Sequence, residues 1–295
     1  MVATMKKSKR KEKKRNFPFF GLFLVILVFL LAAGVYLKFK KSPFYFLRRV
    51  NFVLVTGERE VAVFSLQDEE GLFLDLPGKS KVTATRGFGE YELGNVYALG
   101  QLERKGGELL KETVQENFSV PVFGYFYDPS SLDYSSLNSK KFFLRMFWLS
   151  LRGKIETDLS KSDLLLLYLK ANSLKRVEVK TGDFEKTEDF LKDKSLRGES
   201  CSIEILNSTD HNGLAQQAAK LPEVAGARII RTADAQESQK DCLLLVAKNM
   251  AGKYTELWLR LVFGCQIKEP EEADNRADFT LVVGESYWKK LNEKW

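Results

Sequence analysis

A mixed α/β protein is predicted: an N-terminal transmembrane helix, then an α/β sandwich domain and a smaller C-terminal α/β domain. Three observations predict it. One uncharged apolar run lies near the N-terminus, short apolar strands alternate with helical stretches after it, and a second alternation of the same kind follows a charged break near residue 195. Strands interleaved with amphipathic helices bury their apolar faces best as sheets covered by helices.

The first element is Phe17 to Leu37, FPFFGLFLVILVFLLAAGVYL, with no charged residue over 21 positions. As a helix it spans ~31 Å, against ~30 Å for the hydrocarbon core of a bilayer. Residues 1–16 before it hold eight Lys and Arg against Glu12 alone, and only Lys38, Lys40 and Lys41 follow closely. This asymmetry places the basic tail in the cytoplasm and everything after Leu37 outside, in a single pass through the cell membrane. A cleaved signal peptide is the competing reading. The run exceeds the h-region of about 7 to 15 residues that such peptides carry, and KFKKSPFYF offers no small-residue cleavage site, so an uncleaved anchor is expected.

Charge narrows the function classes. The 295-residue chain is +7 overall, but its first fifteen residues hold eight of the basic side chains and one acid, leaving 38 of each sign in the remainder. The exterior portion therefore has no electrostatic footprint for nucleic acid, and the basic excess serves topology and anionic lipid headgroups. A single histidine disfavours His-containing metal sites and Ser-His or Cys-His pairs. The three cysteines, Cys201, Cys242 and Cys265, match no metal spacing. One disulfide is open to them, but Cys242 and Cys265 sit in apolar runs, and buried thiols are the expectation.

The first exterior domain is expected over residues 49–194. Val50–Val55, Val61–Leu66 and Gly71–Leu76 read as a three-stranded meander closed by the turn signal Pro77-Gly78. A glycine-punctuated loop, a helix around Gly107–Asn117 and an aromatic strand Val122–Tyr127 come next. Helices follow at Ser139–Leu151 and Ser160–Ala171, the second with Ser160 three residues before Asp163 in a capping arrangement. The order of these motifs resembles the catalytic domain of the LytR-CpsA-Psr family. LFLDLPGKSKV is similar to that family's strand into S-I-P-R-D, Leu93–Gly100 (LGNVYALG) to its I-N-x-A-Y-A-x-G stretch, and Ile155–Ser160 to its T-x-L-S helix start. The resemblance covers most of residues 50–180. It implies an extracytoplasmic enzyme that moves glycopolymers from a polyprenyl pyrophosphate carrier to the cell wall.

The family's chemistry does not carry over with its order of motifs. Clamping two phosphates calls for guanidinium forks and for carboxylates holding a divalent ion. Gly78-Lys79 stands where the family has Arg-Asp, and Thr56-Gly57-Glu58-Arg59-Glu60 replaces a G-x-D turn, leaving Glu58 or Glu60 as substitutes. The arginine-bearing segment expected next is reduced to residues 128–138. A catalytically degenerate relative is therefore expected, with no catalytic residue and no cofactor. Lys79, Lys81, Arg86 and Arg104 are the candidates for contact with an anionic lipid, against the plainer reading of a solvated loop. The alternative is a divergent phosphotransferase that uses Mg²⁺ with Arg59, Arg86 or Arg104. Gly87-Phe88-Gly89 begins a G-x-G but lacks the leading strand and third glycine of a dinucleotide site.

The second exterior domain is expected over residues 199–295, after a charged link from Lys186 to Ser200. Strands read at Ser202–Leu206, Ala227–Ile230, Cys242–Ala247, Gln266-Ile267 and Phe279–Gly284, with helices at Gly213–Leu221 and Lys253–Val262. Leu214, Ala218 and Leu221 form the apolar stripe of a helix laid on a sheet. IEILNST with HNGLAQQAA, and ADFTLVVG at the end, resemble the LytR C-terminal domain. Asn207, Thr209 and Asn212, beside the start of a helix, form a candidate ligand turn. Helix capping by Asp210 or Asn212 is the plainer alternative, and His211 is expected to be simply exposed. Expected partners are membrane lipid, a polyprenyl-phosphate carrier, wall glycopolymer or other envelope proteins. Transcriptional regulation conflicts with the neutral exterior portion.

Overall fold

The computed structural model describes residues 19–131, 137–181, 191–268 and 276–295. The basic tail, Phe17 and Pro18 lie outside these described residues. The chain divides into two units, Met1–Lys41 and Ser42–Trp295. Helix α1 (Phe19–Lys41) occupies the first, 23 residues long with Lys38, Lys40 and Lys41 in its last turn. Its side chains Phe23, Val25, Phe29 and Leu30 are exposed. Among the described residues no helix is long and apolar enough to cross a membrane.

The second unit opens on a short helix, α2 (Pro43–Phe46), and is built on two sheets. The meander β1 (Arg49–Thr56), β2 (Val61–Gln67) and β3 (Glu70–Leu76) forms as the alternation predicts, with Val53 opposite Val63 and Val63 opposite Leu74. Parallel strands extend it at both edges: β6 (Gly124–Asp128) joins β1, and β8 (Arg176–Thr181) joins β3. With β7 (Glu156–Thr157) beyond β6, the six-stranded order is β7-β6-β1-β2-β3-β8. Every residue of β1 and β2 is buried, as expected when helices cover both faces.

Each face has its own packing. On one, Val53, Val55, Val63 and Leu74 meet Val96 of α3 (Leu93–Gln101) and Leu110 of α4 (Gly106–Phe118). On the other, α5 (Lys140–Leu151) lays Phe143 and Phe147 onto Phe64, with centroids 5.6 and 6.3 Å away, and Phe52 meets Phe126 edge-on at 5.7 Å. Each such ring contributes about 1.5–3 kcal/mol by burial. Helix α6 (Lys161–Asn172) packs on α5. Its cap forms as predicted: Ser160 Oγ accepts from the Asp163 N–H at 3.2 Å, and its hydroxyl donates to the Asp163 carboxylate at 2.6 Å.

The five-stranded sheet runs β10 (Arg228–Asp234), β9 (Ser202–Asn207), β13 (Phe279–Val283), β11 (Leu243–Val246), β12 (Gln266–Lys268). Helix α8 (Leu214–Val224) packs against β9, β10 and β13, and α9 (Tyr254–Phe263) against β11. One expectation fails here. Cys242 and Cys265 are not buried thiols but a disulfide, with Cα atoms 4.5 Å apart. They flank β11 and β12, and parallel pairing of those strands brings together two cysteines 23 residues apart. Cys201 is the free, buried thiol.

Other elements depart from the sequence reading. The glycine-punctuated loop contains a hairpin, β4 (Lys81–Ala84) with β5 (Gly89–Glu92), followed by α3. Strand β8 and α10 (Glu285–Asn292) were not anticipated. The expected link from Lys186 to Ser200 is, over its described part, built into the fold: α7 (Lys194–Glu199) is capped by Asp193 and buries Leu196.

Candidate functional site

Three turns meet at one end of the six-stranded sheet: the β1–β2 turn, the segment after β3, and the start of α3. They enclose a cleft of about 350 Å³ lined by Glu58, Arg59, Glu60, Asp75, Lys79, Glu92 and Asn95, among others. The PG turn explains the tight closure. A Cβ on Gly78 would lie 2.7 Å from the Arg59 carbonyl oxygen, and one on Gly94 would lie 2.5 Å from the same atom. Only glycines let the two segments sit this close, and the Gly94 N–H donates to the Gly78 carbonyl at 2.8 Å.

Arg59 has a left-handed backbone, φ 66°, and its Nη1 donates to Asn95 Oδ1 at 2.8 Å. The Asn95 amide in turn donates to Glu92 at 3.2 Å, and the Thr56 hydroxyl donates to Glu60 at 3.2 Å. Burial pushes the Asp75 carboxyl above its ordinary range, and the neighbouring Glu60 charge adds to it. Four carboxylates thus face two cations. A diphosphate would meet net negative charge here, and a divalent ion would draw on Glu58, Glu60 and Asp75. Among the described residues, however, no group of three or more His, Cys, Asp or Glu side chains is placed to hold a metal ion.

The four basic candidates are not brought together. Lys79 alone lines the cleft and is exposed. Lys81 is exposed at the start of β4, and Arg104 is exposed after α3 with φ 58°. Arg86 lies at the contact between the two sheets' helices: Nε and Nη2 each donate to Glu112 at 2.8 Å, and its guanidinium stands 5.0 Å from the centre of the Trp295 ring. Its N–H donates to the Leu291 carbonyl at 2.7 Å. Sequence reasoning missed this role, because Glu112 and Trp295 are remote from Arg86 in the chain.

In the C-terminal turn, Asn207 and Thr209 hold each other. The Thr209 N–H and hydroxyl donate to Asn207 Oδ1 at 3.1 and 2.8 Å, and the Asn207 amide donates to the His211 carbonyl at 3.0 Å. Asn212 is exposed, and neither it nor Asp210 caps α8; Gly213 stands at the cap with φ 82°. His211 is not simply exposed. Its ring stacks on Trp288 with centroids 3.7 Å apart, and Nε2 lies 3.3 Å from Glu285.

Fold and site together define an α/β sandwich with an acidic, glycine-lined cleft at one sheet end, followed by a five-stranded sheet with its own helices. Solved structures similar to the chain are LytR-CpsA-Psr proteins, the family its sequence resembles. B. subtilis TagT shares 14% identity, with 46% of this chain and 79% of that chain covered at a TM-score of 0.34. B. subtilis TagU shares 10%, with 50% and 99% covered at a TM-score of 0.35. The LytR-CPS2A-Psr family protein YwtF (TagT), with bound octaprenyl pyrophosphate lipid, shares 13%, with 68% and 81% covered at a TM-score of 0.25. Likenesses of this size carry no argument about activity or ligand. No protein-family model and no curated protein matches the chain.

Proposed function

We propose that the chain is a membrane-anchored cell-envelope protein whose first domain, residues 49–194, is a LytR-CpsA-Psr-like binding or scaffolding module without transferase activity. A LytR C-terminal-like domain, residues 199–295, completes it. One observation carries the reading: among the described residues, the cleft beside the degenerate motifs holds Glu58, Glu60, Asp75 and Glu92 against Arg59 and Lys79. Phosphoryl transfer relies on positioning and charge neutralisation, and this balance runs the wrong way for it. The Cys242–Cys265 disulfide supports an extracytoplasmic setting, where such bonds persist. Residues 17–37 are the anchor in this reading, with residues 1–16 cytoplasmic.

The alternative, a divergent phosphotransferase moving glycopolymer from polyprenyl pyrophosphate to the wall, is favoured by Arg59, the one arginine lining the cleft among the described residues. Incubating the detergent-solubilised chain with short-chain polyprenyl pyrophosphate, with and without Mg²⁺, and analysing products separates the two. Saturable binding without turnover is expected. Turnover that disappears in Arg59→Ala would overturn the scaffolding reading, and absence of binding would redirect it to wall polymer or envelope proteins.

A further inference from the structure

At the sheet end opposite the cleft lies a second cavity, of about 290 Å³, lined by Arg49, Ser65, Gln67, Glu70, Arg176 and Lys194, among others. Arg49 begins β1 and pairs across the ladder with Gln67 at the end of β2; Ser65 lies two residues back on the same face. All three are buried, with exposures of 8% for Arg49, 2% for Gln67 and 1% for Ser65.

Donors outnumber acceptors in this cluster. Arg49 Nε donates to Gln67 Oε1 at 2.9 Å, Nη2 donates to the same oxygen, and Nη1 donates to Ser65 Oγ at 2.9 Å. Because Oε1 must face the guanidinium, the orientation of the amide is determined, and its Nε2 is buried with no hydrogen-bond partner. A guanidinium carries five N–H donors and an amide two, so the missing partner is an acceptor. The carboxylates around it are engaged elsewhere: Glu70 and Glu178, which also line the cavity, meet Lys194 at 2.7 Å and Arg176 at 2.5 Å, and buried Asp193 accepts from the Tyr254 hydroxyl and from the Ser195 and Leu196 N–H groups. Among the described residues Arg49 has no ion-pair partner, although it is the most deeply buried cation of the group. Burial draws its guanidinium down to about 10, against the attraction of Asp193 and Glu70. A buried charge of this kind persists when paired.

We propose that this cavity binds a phosphate-class oxyanion, as free phosphate or as a lipid headgroup. Arg49 and Gln67 Nε2 are its inner donors, with Arg176 and Lys194 at the mouth. An oxyanion supplies both the acceptor oxygens these donors lack and a charge to match Arg49, whereas water supplies no charge. The site lies away from the acidic cleft and stands whether or not the scaffolding reading holds.

The test uses the full chain in neutral detergent. Its unfolding midpoint is followed against inorganic phosphate at constant ionic strength, and in parallel against micelles doped with phosphatidylglycerol. A saturable rise in midpoint at millimolar phosphate assigns free phosphate, and a rise only with the doped micelles assigns a headgroup. Gln67→Glu presents a carboxylate to Arg49 in place of the anion. It is expected to melt no lower than wild type and to lose at least about tenfold in anion affinity. Arg176→Gln with Lys194→Gln, both on exposed side chains, is expected to weaken binding several-fold without lowering the ligand-free midpoint. Equal anion response in Gln67→Glu and wild type, or no response of wild type to either ligand, overturns the proposal.

Discussion

Arg86 shows at the residue scale how little a basic side chain's position in the sequence says about its task. Read from the chain, it is one cation in a glycine-rich loop; in the fold its fork is closed on Glu112, whose side chain is 5% exposed. Breaking a buried pair leaves a charge uncompensated, so Arg86→Ala is expected to cost about 3–5 kcal/mol in denaturant unfolding. Arg86→Ala combined with Glu112→Gln should cost less than the two separate losses summed, since the two side chains form one unit. A variant with unchanged stability but weakened lipid binding would instead return Arg86 to the list of lipid contacts. Arg59 makes a similar point: Asn95, on which it rests, lies in the stretch resembling I-N-x-A-Y-A-x-G, but the contact between the two, 36 residues apart, is decided by the fold.

Two elements carry predictions about local structure. The start of α9 has no cap from its own chain neighbourhood; the Glu199 carboxylate at the end of α7 accepts from the Tyr254 N–H at 2.9 Å, the Thr255 N–H at 2.8 Å and the Thr255 hydroxyl at 2.7 Å. Burial raises the Glu199 carboxyl, but these donors outweigh it and hold the group below its ordinary value. A depressed folded-state value means that its stabilisation is complete above the ordinary carboxylate range and is lost as pH falls through the lower, folded value. Glu199→Gln is therefore expected to lower stability at pH 7 by about 1 kcal/mol and to flatten the acid limb of the stability curve. An unchanged acid limb would remove Glu199 from that role. The disulfide bracing β11 and β12 closes a short loop, and replacing both cysteines by alanine is expected to cost about 3 kcal/mol, measured by thermal unfolding without reductant.

At the scale of the whole molecule, the two sheets are stitched through the C-terminus. Trp295 lies within 6.2 Å of Phe88 and beneath Arg86, Lys290 approaches Glu112 at 3.9 Å, and the Tyr287 hydroxyl donates to Glu116 at 3.4 Å. Burial raises the Glu116 carboxyl above its ordinary value. Removing residues 285–295 is expected to split one cooperative unfolding transition into two, one per sheet, by calorimetry. A single transition in the truncated chain would show that the sheets are coupled by other contacts.

Much of the order of strands and helices came from the sequence by itself, because alternation, capping residues and turn signals act within a few residues of one another. So did the charge asymmetry around residues 17–37 and the presence of Gly78-Lys79 after the third strand. Strand β8, helix α10 and the hairpin of β4 and β5 were missed because their apolar patterns are short or broken, and packing against neighbours stabilises them. Only the tertiary structure paired Cys242 with Cys265, seated Arg86 on Glu112 and Trp295, stacked His211 on Trp288, and enclosed Arg49 with Gln67. These are contacts between residues far apart in the chain, decided by how sheets and helices close on one another.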